Sequence, residues 1–431
     1  MREVDGVKQL SVAESSAFQN KVLPLRERAQ VRNRWLKQRL SQVLPMLMER
    51  EGLEMWVVTA REYNEDPVMM SLLPAEMLSA RRRTILVYHR LSDGTVDCLS
   101  LSRPVPIMDQ FYQASWPDNS IPQYDRLAQI IEERDPQTIG INVSNVFAFG
   151  DGLTHGEYQL LVESLGDKYI PCLRSAIGLC LGWLEYRTAD EIAAYVGINE
   201  IAHGIIKEAF SSRVVLPGVT TALDVAWWIR QRIRDLGLVT WFMPSVSIQR
   251  QGCTKLEKSE IIKPGDILHC DVGIKYLGLC TDTQQNAYVL KLGEVDVPEG
   301  LKIALKEGNR LQDIHAEQMK TGRTGNEILD QSLKAAKQKG IVPCVYSHPI
   351  GFHGHGAGPT IGLYDQQNGV PGRGEYQLYD NTAYAMELNI HKEIPEWDNQ
   401  TVRIALEQTI IYTASEVHFL SGRQTAWHLI R

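Results

Sequence analysis

The last third of the chain carries acids and histidines whose types and spacing suit divalent cation binding. Two aspartates lie in DVGIKYLGLCTDT, three histidines in HPIGFHGHGAGPTIGLYD, and one glutamate each in AYAMELNI and TVRIALEQTIIYT. In chain order these candidates are Asp271, Asp282, His348, His353, His355, Glu387 and Glu407. Oxygen-rich sites with one imidazole suit Mn, Fe, Co or Zn, and differ from thiolate-type zinc sites.

The two aspartates lie in a predicted β-hairpin. Two β-rich runs flank a break at Tyr276, Leu277 and Gly278, which is a hairpin pattern. If the turn centres between Tyr276 and Leu277, Asp271 lies opposite Asp282, and the Cβ atoms of opposed residues are about 5 Å apart. Two carboxylates at this distance repel each other unless a cation lies between them.

The two glutamates lie in a second predicted hairpin. Their strands are separated by the polar loop HKEIPEWDNQ. If the strands pair symmetrically about Trp397, Glu387 faces Glu407. Side chains alternate between the two faces of a strand, so Arg403 shares a face with Glu407. Two hairpins therefore each offer a pair of facing carboxylates.

Each candidate alone has a simpler interpretation. An acid on an antiparallel strand is usually a solvated surface residue, and a histidine near glycines usually supports its loop. The combination favours a site, because two acid pairs in matching registers flank a Gly-His-Gly segment.

From about Thr188 to its end, the chain resembles the pita-bread metallopeptidases, which include methionine aminopeptidase, Xaa-Pro aminopeptidase, prolidase and creatinase. The family's ligand order is Asp, Asp, His, Glu, Glu. The D-x-G start and the spacing of the two aspartates match this order, and GHGAG resembles the family's Gly-His-Gly-x-Gly. The resemblance implies the ligands Asp271, Asp282, His355, Glu387 and Glu407. His353 stays open as the alternative imidazole ligand, because this loop is longer than usual.

The resemblance also implies a role for each ligand in a centre of two divalent ions. Asp271 would bind one ion and His355 the other, while Asp282 and Glu407 would bridge both. Glu387 would bind the second ion and take a proton from the bridging water. Such a centre lowers the pKa of water and polarises a carbonyl group. Mn is the expected metal, with Co, Zn or Fe as alternatives.

Three residues beyond these ligands are candidates for supporting roles. His348 and His353 could steer the substrate carbonyl or stabilise an intermediate, although each could equally hold the loop through backbone hydrogen bonds. The family often has an arginine two residues before its last glutamate, whereas here Arg403 lies four residues before Glu407. Because the even offset keeps the same strand face, we expect Arg403 to pair with a ligand carboxylate.

The first part of the chain has the pattern of an α/β domain. Apolar residues at helical spacing predict a long amphipathic helix over residues 18–50. Predicted strands follow at Leu53–Thr59, Thr84–Tyr88 and Thr95–Leu101.

The domain boundary is expected near Gly182 to Arg187, just before Thr188 and Glu191, which form a capping box at the start of a long helix. The resemblance implies an α+β fold, in which an N-terminal α/β creatinase-like domain (residues 1–183) precedes a pita-bread catalytic domain (residues 184–431).

Composition limits the partners of the chain. The hydrophobic fraction of 44% is ordinary for a globular protein, and the net charge of -7 gives no electrostatic footprint for nucleic acid. No apolar run is long enough for a transmembrane helix, and the first residues lack the apolar core of a signal peptide. The seven cysteines form no C-x-x-C pair. We therefore expect no membrane or nucleic-acid partner, and reduced thiols in a cytoplasm.

The expected function is that of a dinuclear metal-dependent Xaa-Pro aminopeptidase, which releases the N-terminal residue from a peptide with proline at its second position. A dipeptidase acting on Xaa-Pro pairs is the near alternative. A binding module that keeps the fold without activity is the alternative from another class. A homodimer is common among members of the family and is the expected assembly.

Overall fold

The computed structural model of the chain describes residues 21–116, 121–253 and 255–431. The predicted N-terminal helix begins at Leu25, directly after Pro24, and its expected first residues 18–20 lie outside the described ranges. It continues through α1 (Leu25–Gln38), a π-helical segment (Arg39–Val43) and α2 (Leu44–Arg50). The prediction of a long helix ending at residue 50 is therefore confirmed, whereas residues 21–24, which were expected to belong to it, precede its first residue.

A mixed sheet follows this helical segment. Its strand order is β4-β3-β2-β1-β5-β6, with β1, β2 and β3 antiparallel and β1, β5 and β6 parallel. The strands are β1 (Met55–Arg61), β2 (Arg83–Arg90), β3 (Val96–Ser100), β4 (Gln113–Ala114), β5 (Ile139–Ile141) and β6 (Leu173–Ser175). The three strands expected in this region are all present.

Helices cover both faces of this first sheet, as an α/β domain requires. After α2, the helices of this part are α3 (Met69–Leu72), α4 (Gln123–Arg134), α5 (His155–Ser164) and α6 (Ile177–Glu185). The core on one face includes residues of α2 and α6, and the core on the other includes residues of α4. The expected boundary between residues 183 and 184 falls inside α6, and the division into domains stays a prediction.

A larger sheet forms the second part of the chain. Its main path is β12-β14-β15-β11-β8-β7, and β13, β16 and β17 pair with members of that path. The strands after the first sheet are β7 (Ser245–Gln249), β8 (Ile267–Val272), β9 (Lys275–Tyr276), β10 (Leu279–Cys280), β11 (Thr283–Val289), β12 (Pro343–Val345), β13 (His348–Pro349), β14 (Thr382–Ile394), β15 (Gln400–Thr413), β16 (Glu416–Phe419) and β17 (His428–Ile430). The short strands β9 and β10 form a ribbon beyond the β8–β11 hairpin.

Four helices pack against one face of the larger sheet. They are α7 (Ala189–Ala209), α8 (Ala222–Asp235), α9 (Glu299–Gln318) and α10 (Gly325–Gln338). Cys270 and Val272 of β8 lie in the core with α7 and α8, and Met386 and Leu388 of β14 lie in the core with α9 and α10. Because side chains alternate along a strand, the residues between these apolar positions point to the opposite face. None of the helices in the described ranges has the length and apolar character needed to cross a membrane.

A buried charge cluster joins the N-terminal helix to the second part of the chain. The Arg39 guanidinium lies 2.9 Å from the Glu191 carboxylate, and both side chains are buried. It also donates to the backbone carbonyl of Tyr186 at 2.7 Å. Arg187 lies 3.7 Å from the same carboxylate, and both guanidinium groups lie over the Phe352 ring. Glu191 therefore compensates two buried cations while closing the predicted capping box of α7.

Replacing Glu191 is expected to destabilise the protein strongly. Glu191→Ala leaves two buried guanidinium groups without their anion, which should lower the free energy of unfolding by about 3–5 kcal/mol. The matched control is Asp330→Ala, which breaks the exposed Asp330–Lys334 pair and should cost about 0.3–0.5 kcal/mol. Urea unfolding of both variants measures the difference, and equal losses would contradict a special role for Glu191.

Candidate metal centre

The aspartate hairpin differs from its predicted register by two residues. Asp271 of β8 pairs with Gln284 of β11, so the expected pairing with Asp282 was wrong. Leu277 and Gly278 occupy the two turn positions with φ of 53° and 89°, as in a type I′ turn. The turn centre therefore lies one position later, which moves each opposed residue by two positions and keeps it on the same face. Asp282 still lies on the face of Asp271.

The glutamate hairpin has the predicted register. Glu387 of β14 pairs with Glu407 of β15, and the pairing is symmetric about Trp397. The two hairpins meet where Gln284 pairs with Glu407. Asp271, Gln284, Glu407 and Glu387 therefore form one line across β8, β11, β15 and β14.

His348 is the histidine that contacts the acids. It lies on β13 opposite Ala385, two residues before Glu387 on β14. Its Nε2 is 3.5 Å from Oε1 of Glu407 and 3.6 Å from Oδ2 of Asp282. Among the described residues, Asp282, His348 and Glu407 each offer a ligand atom within 4.8 Å of the others.

The backbone around His348 fixes the direction of its ring. The Ser347 hydroxyl accepts from the backbone N–H of Glu387 at 3.1 Å, which holds the two strands together. Nδ1 of His348 is 2.9 Å from the carbonyl oxygen of Pro349. Because a carbonyl only accepts, Nδ1 carries the proton in the neutral ring, and the lone pair of Nε2 faces the acids. This is the tautomer that a metal ligand needs.

The other two histidines of the loop lie outside this cluster. His355, the favoured ligand from the sequence, is exposed, and its ring centroid is 4.8 Å from that of His348. His353 is half-buried, and its ring packs against Phe149 of the first part of the chain at 4.7 Å. Loss of hydration against neighbouring side chains is the main cause that lowers the pKa of each ring to about 4, although part of the His355 side chain stays in contact with solvent. Both rings are therefore neutral near pH 7.

A signal for His348 was present in the sequence. His348 follows the β-rich run Val345–Tyr346 and is followed by Gly351, at the spacing of the last glycine in Gly-His-Gly-x-Gly. The flanking glycines of His355 outweighed this signal. Gln284 was missed because its importance depends on pairing between strands that are distant in sequence.

Trp241 separates the aspartate hairpin from the glycine-rich loop. A Cβ atom at Gly273 or at Gly354 would collide with its indole ring. The indole N–H donates to the carbonyl of Thr281 at 2.9 Å, next to Asp282. The ring centroid of Trp241 is 5.2 Å from that of His355.

Arg403 contacts a neighbour of the acids. Its guanidinium donates to the Tyr346 hydroxyl at 2.8 Å, and Asn389 donates to the same oxygen at 3.1 Å. The positive charge of Arg403 also lowers the pKa of Asp271 and Glu387, as a small effect beside burial. Among the described residues no ion pair joins Arg403 to a ligand carboxylate, so the direct pairing expected from the sequence is not observed.

The acid cluster contains buried polar atoms that lack a hydrogen-bond partner. Among the described residues, these atoms include Oδ1 of Asp271, Oδ1 of Asp282, both carboxylate oxygens of Glu407 and Nε2 of His348. Each such atom costs about 1–3 kcal/mol when it is left unpaired. All of these atoms carry lone pairs, so they cannot form hydrogen bonds among themselves. A cation between them can accept their lone pairs. The residues present therefore fit a divalent metal centre.

The acids in this cluster hold their protons more tightly than free acids do. Burial raises the pKa of Asp271 to about 6 and that of Glu387 to about 7. Burial, followed by the charge of neighbouring acids, raises the pKa of Asp282 and Glu407 well above the usual range. Negative charges this close are unfavourable without a compensating cation.

The sequence profile of metallopeptidase family M24 matches residues 197–414. The chain belongs to this family. A relative from Mycoplasma pneumoniae named "Putative Xaa-Pro aminopeptidase" is 24% identical over 217 residues, which are 50% of this chain and 59% of the relative. The chain thus spans less than two thirds of that relative.

Solved structures of three peptidases share the fold over most of the chain. The X-Pro aminopeptidase of Thermotoga maritima has a TM-score of 0.62 at 15% identity, covering 88% of this chain and 99% of its own. The Xaa-Pro dipeptidase of Bacillus anthracis has a TM-score of 0.60 at 15% identity, covering 94% and 100%. The zinc-substituted aminopeptidase P of E. coli, in complex with product, has a TM-score of 0.56 at 13% identity, covering 93% and 96%. The fold is thus a pita-bread domain preceded by a smaller α/β domain.

The two neighbouring histidines of the site should differ in their effect on metal binding. His348→Ala removes the ring that contacts Glu407 and Asp282, and should weaken Mn²⁺ binding by at least about 100-fold, more than the loss of a residue that only supports a ligand. His355→Ala, at the exposed rim, should leave Mn²⁺ affinity nearly unchanged. Calorimetric titration of metal-free protein compares the two variants, and the reverse order would identify His355 as the ligand.

Proposed function

We propose that the chain is a dinuclear metal-dependent Xaa-Pro aminopeptidase. The observation that carries this proposal is the cluster of acids around His348, with its unpaired lone pairs, on the open face of an M24 fold. The proposed ligands are Asp271, Asp282, His348, Glu387 and Glu407. His348 replaces His355 in this set because its Nε2 lies within 3.6 Å of two of the acids.

The burial of Asp282 and Glu407 supports their proposed role. Asp282 and Glu407 are buried in the middle of the cluster, which suits carboxylates shared between two cations. Two divalent ions bound there would lower the pKa of a water molecule and polarise the scissile carbonyl. Glu387 and Asp271 are both half-buried at the two ends of the row, and the family resemblance assigns to Glu387 the role of accepting the proton of the attacking water. His355, exposed beside His348, would donate a hydrogen bond to the substrate.

The rim of the site supports a substrate that contains proline. Trp241 and Phe242 pack at a centroid distance of 4.5 Å, and His355 extends this aromatic group towards His348. Flat aromatic surfaces bind a rigid apolar ring at low entropic cost. We place the proline of the substrate against this rim.

Three finer properties belong to the same proposal. Mn is the first metal to test, because oxygen-rich donors with a single imidazole suit it. All seven cysteines are free thiols, which supports a cytoplasmic location. A homodimer is the proposed assembly.

The proposed activity is tested with metal-free protein that is then loaded with Mn²⁺. Metal analysis should give two ions per chain, and the loaded protein should release the first residue from Ala-Pro-Ala. Ala-Ala-Ala of the same length is the control substrate and should be cut far more slowly. Hydrolysis of Ala-Pro alone would instead identify a dipeptidase. Absence of bound metal together with absence of hydrolysis would identify a binding module.

The role of Glu387 is tested in the same assay. Glu387→Gln keeps the size of the side chain but cannot accept a proton, so kcat should fall by about 100-fold or more. The affinity for the peptide should change little, because Glu387 acts on the water and not on the aromatic rim. A loss confined to KM would contradict the assignment.

A further inference from the structure

Gln284 lies at the centre of the acid cluster although its side chain cannot bind a metal as a carboxylate does. On one side its backbone pairs with Asp271, and on the other with Glu407. Its side chain is buried. The carboxamide lies between two polar partners, His269 and Glu387.

The directions of these two hydrogen bonds are fixed by chemistry. The ionised carboxylate of Glu387 only accepts, so the Gln284 amide nitrogen must donate to its Oε1. The amide oxygen then faces His269, whose Nε2 is 2.9 Å away. His269 must therefore donate from Nε2. Two hydrogen bonds that donate in the same direction therefore run from His269 through Gln284 to Glu387.

These hydrogen bonds make Glu387 different from Glu407, its partner on the neighbouring strand. Its Oε1 is already occupied by a donor, whereas both oxygens of Glu407 lack a hydrogen-bond partner among the described residues. Glu387 therefore presents a single free oxygen, Oε2. A carboxylate with two free oxygens can bridge two cations, while one held by an amide favours a single one.

We propose that Gln284 is a positioning residue that holds Glu387 in a one-oxygen orientation towards the metal centre, and that His269 fixes Gln284 in turn. The inference rests on the proposed function, because it takes Glu387 as a ligand. This role explains why the row of Asp271, Gln284, Glu407 and Glu387 contains a buried amide at position 284, where an acid would add to the repulsion.

The chain offers a matched control on the opposite face of the same strand. Gln285 directly follows Gln284, and its amide oxygen is 2.7 Å from Nε2 of His428. Gln285 is also buried, but it points away from the acids because side chains alternate along β11. The same pair of residue types therefore occurs once beside the acids and once behind the sheet.

The first test compares Gln284→Leu with Gln285→Leu. Calorimetric titration of metal-free protein with Mn²⁺ should show that Gln284→Leu weakens one of two binding steps by about 10-fold or more, the usual effect of losing a partner of a ligand. Gln285→Leu should leave both steps unchanged. Thermal unfolding of the metal-free variants is measured in parallel, and equal losses of stability with unchanged Mn²⁺ binding would overturn the proposal.

The second test examines the direction of the hydrogen bonds from His269 through Gln284 to Glu387. His269→Gln keeps an N–H donor and should retain most of the Mn²⁺ affinity, whereas His269→Leu removes the donor and should weaken the same binding step as Gln284→Leu. In the double variant, His269→Leu should add nothing to Gln284→Leu, because both act through one contact. Additive effects would overturn the proposed order.

Failure of this inference is distinguishable from failure of the proposed function. Wild-type protein that binds no Mn²⁺ contradicts the proposed function itself. Wild-type protein that binds two ions, with Gln284→Leu equal to wild type, leaves the function intact and overturns only the role of Gln284.

Discussion

The second part of the chain is organised around the mutual repulsion of acids held close together on one sheet face. Asp282 and Glu407 are buried, and Asp271 and Glu387 flank them across four strands. The backbone pairing that places the carboxylates is stabilised by the apolar residues on the opposite face of the sheet. The fold therefore holds the acids close together in spite of their repulsion. The helices therefore supply the free energy that keeps the acids together. A cation then finds a site that is already formed.

The backbone accounts for the accuracy of this arrangement. The β14–β15 hairpin is paired at every position from Thr382–Tyr412 to Ile394–Gln400, so Glu387 and Glu407 have little freedom to shift. His348 joins the same framework through β13 and the Ser347 hydroxyl. A site on paired strands is positioned more precisely than one on loops. Asp282 lies in the short link between β10 and β11, and the rim histidines His353 and His355 lie on the glycine-rich loop.

The sequence predicted those features that depend on local pattern. The glutamate register followed from a symmetric polar loop, and the capping box at Thr188 was recognisable from two residues. The aspartate register could not be read, because it depends on Leu277 adopting a positive φ, which a branched residue rarely does.

The choice among the histidines depended on a contact that is distant in sequence. Glycines beside His355 resemble a ligand loop, but the pairing of His348 with Ala385 decides which ring reaches the acids. The hydrogen bonds from His269 through Gln284 to Glu387 also depend on contacts distant in sequence, since the three residues lie on three strands. Family resemblance identified the chemistry of the site, and strand pairing identified its members.

The clamping of Trp241 between Gly273 and Gly354 constrains how this sequence can diverge. The indole acts as a spacer whose thickness sets the separation between the segment bearing the aspartates and the segment bearing the histidines. A smaller residue at 241 would leave a void, and a side chain at either glycine would push the two segments apart. The three positions should therefore covary among descendants of this chain, so that a change at one is tolerated only when the others compensate for its volume.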